Sequence, residues 1–104
     1  MDPNYANTYA SRGNYYGDLG QSERAIQDYN KAIELDPNWA VAYNNRGYTY
    51  YSLDQYEQSI EDYSKAIELD PNYATAYGNR ALSYRKLEKF DLAEADEAKA
   101  RELS

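Results

Sequence analysis

The sequence predicts an all-α fold built from three tandem copies of one helical unit. Two observations support this prediction. The tripeptide Asp-Pro-Asn occurs three times at a constant spacing of 34 residues, starting at Asp2, Asp36 and Asp70. Between these tripeptides, apolar residues recur at intervals of three and four, the pattern of amphipathic helices. Such a period is typical of an array in which each unit packs against its neighbours. The units of this single domain cover residues 2–35, 36–69 and 70–104.

Two helices are expected in each unit, separated by a short break. The break falls at Gly20, Asp54 and Glu88. Glycine and aspartate tolerate the left-handed conformation that ends a helix, and glutamate is a weaker terminator. Each Asp-Pro pair is expected to begin a unit, with aspartate as the N-cap and proline at the first helical position. The six expected helices cover residues 4–19, 21–35, 37–53, 55–69, 71–87 and 89–103.

Small residues recur where the two helices of a unit would have to approach closely. They are Gly13, Gly47 and Ala81 on the first helices, and Ala25, Ser59 and Ala93 on the second helices. A glycine inside a helix costs about 1 kcal/mol relative to alanine. Two glycines at the same position of the period therefore indicate close packing.

Arginine and aspartate also follow the period. The arginines are Arg12, Arg46 and Arg80, and the aspartates are Asp28, Asp62 and Asp96. An arginine that faces packed helices needs a partner, because an unpaired buried charge is costly. We therefore predict a ladder of Arg–Asp pairs, either within a unit or from one unit to the next. We favour this structural role over ligand binding.

Composition excludes several classes of function. The chain has no cysteine and no histidine, and we find no nucleophile beside a base, so we expect no enzyme, cofactor or metal. The net charge of −7 would repel DNA or RNA. No apolar run is long enough to span a bilayer, and no export signal precedes the first unit. We expect a cytoplasmic location.

Seven positions of the second unit match a known family pattern. They are Tyr43, Gly47, Tyr50, Ser59, Tyr63, Ala66 and Pro71. In this respect the chain resembles the tetratricopeptide repeat family. The resemblance implies a right-handed superhelical solenoid that binds a partner peptide in a concave groove lined by the first helices. The shared arginines depart from the pattern, because the family usually has leucine there.

The third unit departs further. It has Ala81 in place of the glycine and Glu97 in place of the second aromatic residue. Glu94, Glu97 and Arg101 replace apolar residues on one face of the last helix, as expected of a terminal cap. We expect a monomer, since this charged face opposes head-to-tail stacking, and the alternative is a weak head-to-tail association. The first helix has no preceding unit to cover it. Two explanations stay open: the chain is an excised or engineered fragment, or this face of the helix is adhesive.

The resemblance places the candidate groove on the free face of the first helices. The candidate residues are Asn14, Asn44, Asn45, Tyr48, Tyr51, Asn79, Leu82, Arg85 and Lys86. Tyr48 and Tyr51 stand where the first unit has asparagine and glycine, so packing does not dictate them. Arg85 and Lys86 are an adjacent basic pair, and asparagine suits hydrogen bonding to an extended peptide. The alternative for each residue is a simply solvated helix face.

Relatives that bind chaperone tails use a clamp of two lysines, one arginine and two asparagines. The matching positions hold Ala10, Asn14, Asn45, Thr75 and Asn79. Both asparagines are present and all three cations are missing, so we expect weak binding of acidic C-terminal tails. The leading prediction is a non-catalytic module that binds a protein or peptide. The alternative is an engineered or truncated array that serves as a folding scaffold without a ligand.

Overall fold

The computed structural model describes residues 3–104, with side chains from Tyr5 onward. It contains six helices: α1 (Pro3–Asp18), α2 (Ser22–Leu35), α3 (Ala40–Ser52), α4 (Tyr56–Leu69), α5 (Ala74–Lys86) and α6 (Phe90–Leu103). The predicted all-α solenoid of three helical units is confirmed. Within the described residues, none of these helices is both long enough and apolar enough to cross a membrane.

The predicted breaks inside the units are confirmed. Gly20, Asp54 and Glu88 all have a positive φ, of 77°, 61° and 60°. At the first break the N–H of Gly20 donates to the Gly17 carbonyl, and the N–H of Gln21 donates to the Tyr16 carbonyl at 2.8 Å. The same two bonds recur at the other breaks. Each first helix therefore ends in a Schellman motif, which needs a left-handed residue.

The predicted helix starts at Pro37 and Pro71 are wrong. The helices begin three residues later, at Ala40 and Ala74. The N–H of Asp36 donates to the Ala32 carbonyl at 2.9 Å, so this aspartate closes the preceding helix. The first unit does follow the prediction in having Pro3 at its first helical position, whereas its aspartate lies outside the described residues.

Three side-chain hydrogen bonds explain why the Asp-Pro-Asn segments form turns. Oδ1 of Asp70 accepts a hydrogen bond from the N–H of Asn72 at 3.1 Å, which makes an Asx turn. The hydroxyl of Tyr77 donates to the Pro71 carbonyl at 3.1 Å. Tyr43 makes the corresponding bond to Pro37 at 3.0 Å. The following helix thus holds the turn through its tyrosine.

The helices stack in chain order. Each second helix packs against its own first helix and against the first helix of the next unit. The first helices also approach one another, α1 against α3 and α3 against α5. In residues 3–104 the second helices show no such approach. The first helices therefore line the inner side of the solenoid.

Close packing within the units is confirmed, with a tyrosine ring as the partner of each glycine. A Cβ added to Gly47 would lie 2.9 Å from Cε1 of Tyr63, and one added to Gly13 would lie 2.9 Å from Cε1 of Tyr29. Both rings are buried. The third unit has glutamate in place of the tyrosine, which explains why alanine fits there in place of glycine.

The Arg–Asp ladder is also confirmed, and its pairs lie within the units. Nη2 of Arg46 is 2.7 Å from Oδ1 of Asp62, and Nε is 2.8 Å from Oδ2. Arg12 with Asp28 and Arg80 with Asp96 repeat this two-bond geometry.

The ladder also connects neighbouring units. Nη1 of Arg46 donates to Asn30 of the preceding unit at 2.9 Å, and Nη1 of Arg80 donates to Ser64 at 3.1 Å. Each arginine lies over two tyrosine rings of its own helix. The arginine therefore links neighbouring units as well as the two helices of its own unit. A leucine at this position could not form these hydrogen bonds.

Candidate functional site

A cavity of about 720 Å³ opens on the inner side, between the first and second units. Its walls come mainly from α1 and α3, and α2 contributes Ser22 and Tyr29. It brings together five of the nine predicted site residues, namely Asn14, Asn44, Asn45, Tyr48 and Asn79. Its formation follows from the direct approach of the first helices.

Asparagine side chains bridge successive first helices along this cavity. Nδ2 of Asn45 donates to Oδ1 of Asn14 at 3.3 Å, and Nδ2 of Asn79 donates to Oδ1 of Asn44 at 3.2 Å. The Tyr29 hydroxyl also donates to Oδ1 of Asn14. Within residues 3–104, Nδ2 of Asn14 and Oδ1 of Asn45 make no further hydrogen bond. One donor and one acceptor are therefore available at the cavity wall.

Tyr48 and Tyr51 form one stacked unit on α3. Their ring centroids are 6.5 Å apart and the ring planes differ by 10°. Tyr51 and Tyr56 in turn meet edge to face, with ring centroids 5.5 Å apart. Tyr48 is 55% exposed and lines the cavity, whereas Tyr51 is half-buried and does not line it. The accessible aromatic surface is thus that of Tyr48, and Tyr51 supports it.

The other three predicted residues lie on α5, outside the cavity lining. Leu82, Arg85 and Lys86 are all exposed. Arg85 donates two hydrogen bonds, each of 2.6 Å, to Glu97 of α6. This ion pair lowers the pKa of Glu97. Glutamate at this position thus draws Arg85 towards α6.

The cavity lining also includes five polar residues that are not among the nine candidates: Asp18, Ser22, Tyr29, Thr49 and Ser52. The ring of Tyr29 packs against Gly13, and its hydroxyl bonds to Asn14 at the cavity wall. Burial raises the pKa of this hydroxyl to about 12, and the charge of Asp18 adds to the rise. Ser22 stands where the second unit has Tyr56, so a closer comparison of the units could have revealed it.

The electrostatic character of the cavity is neutral to acidic. Among the described residues that line it, Asp18 carries the one charged side chain. Five positions match the chaperone-tail clamp. Three of them hold asparagines that line the cavity: Asn14, Asn45 and Asn79. Ala10 is buried and Thr75 is exposed. The wall can therefore offer amide hydrogen bonds but no cation.

Comparison with known proteins agrees with this architecture. Residues 40–73 and 62–95 each match a family model described as Tetratricopeptide repeat, and residues 13–54 match one described as TPR repeat. The second TPR of Spaghetti (RPAP3), solved with the HSP90 peptide SRMEEVD, has a TM-score of 0.95 and 30% identity. The alignment covers 98% of this chain and 94% of that one.

This chain belongs to the tetratricopeptide repeat (TPR) family. The second TPR domain of human RPAP3, solved in complex with the HSP70 peptide SGPTIEEVD, is 31% identical, with a TM-score of 0.93 over 99% of this chain and 87% of that one. The Arabidopsis OM64 TPR domain is 26% identical, with a TM-score of 0.96 over 98% and 84%. No curated protein matches this TPR chain significantly.

Proposed function

We propose that this TPR domain is a non-catalytic interaction module that holds a peptide segment of a partner protein in the groove along α1, α3 and α5. The observation that carries the proposal is the cavity of about 720 Å³ between α1 and α3. This volume lies in the range of small-ligand sites. Asparagine at its wall offers a donor and an acceptor to an extended backbone, and Tyr48 offers an aromatic anchor. Two similar TPR domains were solved with peptides.

The charge of the groove argues against a ligand like the peptides of those two relatives. Their peptides both end in Glu-Glu-Val-Asp. Here Asp18 is the charged residue among the described cavity residues, and the whole chain carries a net charge of −7. Like charges brought together at an interface oppose binding. The domain is therefore suited to neutral or basic segments and not to acidic tails.

The proposal can be tested by selecting binders from a random peptide library and measuring their affinity by calorimetry. Tyr48→Ala should weaken binding about ten-fold or more, because aromatic anchors dominate interface energies. The matched control is Tyr15→Ala, since Tyr15 is 61% exposed on α1 but outside the cavity lining. If both variants bind equally well, the groove is not the site. If no peptide is selected, the alternative of a scaffold without a ligand is supported.

The heptapeptide SRMEEVD tests the charge argument separately. We expect no measurable binding at micromolar concentration, because all three clamp cations are missing. Micromolar affinity that is lost when Asn14 and Asn45 are replaced by alanine would contradict the expectation. That result would place an acidic tail in this groove despite its charge.

A further inference from the structure

The cavity lies where the first unit has smaller residues than the second, and Asn14 stands where the second unit has Tyr48. Gly17 and Ser22 occupy the positions that Tyr51 and Tyr56 occupy 34 residues later. In the second unit these two rings meet edge to face, with centroids 5.5 Å apart. In the first unit both rings are missing. A Cβ added to Gly17 would have no neighbouring atom within 4 Å, so the space is open.

The packing beneath the two places is equivalent. Tyr29 and Tyr63 are one repeat apart, and each is buried with Cε1 at 2.9 Å from the Cβ position of the glycine on its first helix. The helices therefore meet in the same way in both units. What distinguishes the first unit is that Asn14, Gly17 and Ser22 replace three tyrosines of the second unit.

We infer that the cavity receives an aromatic side chain from the partner segment, in the space that Tyr51 and Tyr56 fill in the second unit. This inference rests on the proposed function and names the residue class that the groove selects. The ring would lie above Tyr29 and beside Tyr48. Aromatic rings favour such offset and edge contacts with one another. The wall also supplies acceptors, including Asp18, so an aromatic residue with a donor suits it best: tyrosine or tryptophan.

The variant that tests the inference fills the cavity from within. Gly17→Tyr combined with Ser22→Tyr gives the first unit the pair that the second unit already accommodates. We expect native helix content by circular dichroism and a loss of peptide affinity of about ten-fold or more. Gln27→Tyr is the matched control, because it adds the same ring at an exposed position of α2 outside the cavity lining. Its affinity should equal that of the wild type.

A small probe tests the same cavity in the unchanged protein. We expect p-cresol, the side-chain analogue of tyrosine, to shift the NMR amide signals of Asn14, Asn45 and Thr49 in a saturable way. Isopentanol, an aliphatic alcohol of similar size, should shift them much less. This measurement decides the question even if the filled variant does not fold. Equal shifts with both probes, or none with p-cresol, would overturn the inference.

The outcomes separate this inference from the proposed function. Selected peptides should contain an aromatic residue whose replacement by leucine weakens binding about ten-fold or more. If peptides bind through Tyr48 but tolerate that replacement, and the filled variant binds normally, the inference is wrong and the proposed function stands. If p-cresol binds at the cavity but the library yields no peptide, the aromatic preference stands and the proposed function is wrong.

Discussion

At the scale of single residues, the arginine ladder shows how a charge is accommodated between packed helices. The side chain of Arg46 is 21% exposed and that of Asp62 is 7% exposed. Burial raises the pKa of Asp62, and the bonds from Arg46 oppose that rise. The carboxylate thus depends on its arginine to stay charged in the folded protein.

We therefore predict that Arg46→Met lowers the free energy of unfolding by about 3 kcal/mol at neutral pH, because it leaves Asp62 buried without its partner. Adding Asp62→Leu should restore most of the loss. Arg12→Met is the comparison variant: Asp28 is as buried as Asp62, but Arg12 is 56% exposed and its pair is screened by water, so the loss should be smaller. Urea unfolding measures all three. An unrescued loss in the double variant would show that Arg46 acts through packing and not through the pair.

Tyr29 gives the fold a pH dependence whose sign can be worked out. Its pKa is raised from 10.0 to about 12, so the folded state holds the phenol proton more tightly than the unfolded state. The resulting stability is complete below pH 10 and is lost as the pH rises towards 12. Relative to Tyr29→Phe, the wild type should lose about 2 kcal/mol over this range. Parallel stability curves for the two proteins would contradict this assignment.

At the scale of helix pairs, two glycines should respond to the same substitution with opposite sign. Gly47→Ala should destabilise the protein by about 1–3 kcal/mol, since the new Cβ would lie 2.9 Å from the buried ring of Tyr63. Gly78→Ala should stabilise it by up to about 1 kcal/mol, because the helix gains propensity and no atom lies within 4 Å. Thermal or urea unfolding measures both. Stabilisation by both substitutions would disprove the close approach.

The presence and order of the helices could be predicted from the sequence, but the starts of two helices could not. Asp36-Pro37 suits either an N-cap or a turn, and local preference does not choose between them. The choice is made by a contact from the next helix, the bond from the Tyr43 hydroxyl to the Pro37 carbonyl. The breaks at Gly20 and Asp54 were predictable because the left-handed conformation is a local requirement.

Parts of the candidate site could not be predicted from the 34-residue period of the sequence. The period of 34 residues predicted that the repeated arginines pair with the repeated aspartates, and it left open whether the pairs lie within a unit or between units. The asparagine bridges do not follow this period. Asn14 bonds to Asn45 across 31 residues, and Asn44 bonds to Asn79 across 35. These separations depend on how neighbouring first helices are offset, which tertiary packing sets. The cavity itself required knowing that nothing fills the space beside Gly17.

At the scale of the whole molecule, the solenoid places its first helices side by side and so creates one continuous inner surface. The cavity, the asparagine bridges and the exposed ring of Tyr48 all lie on that surface. The net charge of −7 attracts basic partners and repels acidic ones. Fold and charge together favour a neutral or basic segment as the ligand.

The most direct test of the proposed groove is NMR mapping of the amide signals during titration with a library-selected peptide. We predict saturable shifts at cavity residues of α1 and α3, including Asn14, Asn45 and Tyr48, with little change on the outer faces of α2 and α4. Shifts confined to those outer faces, or spread evenly over the chain, would contradict a binding groove on the inner side of the solenoid.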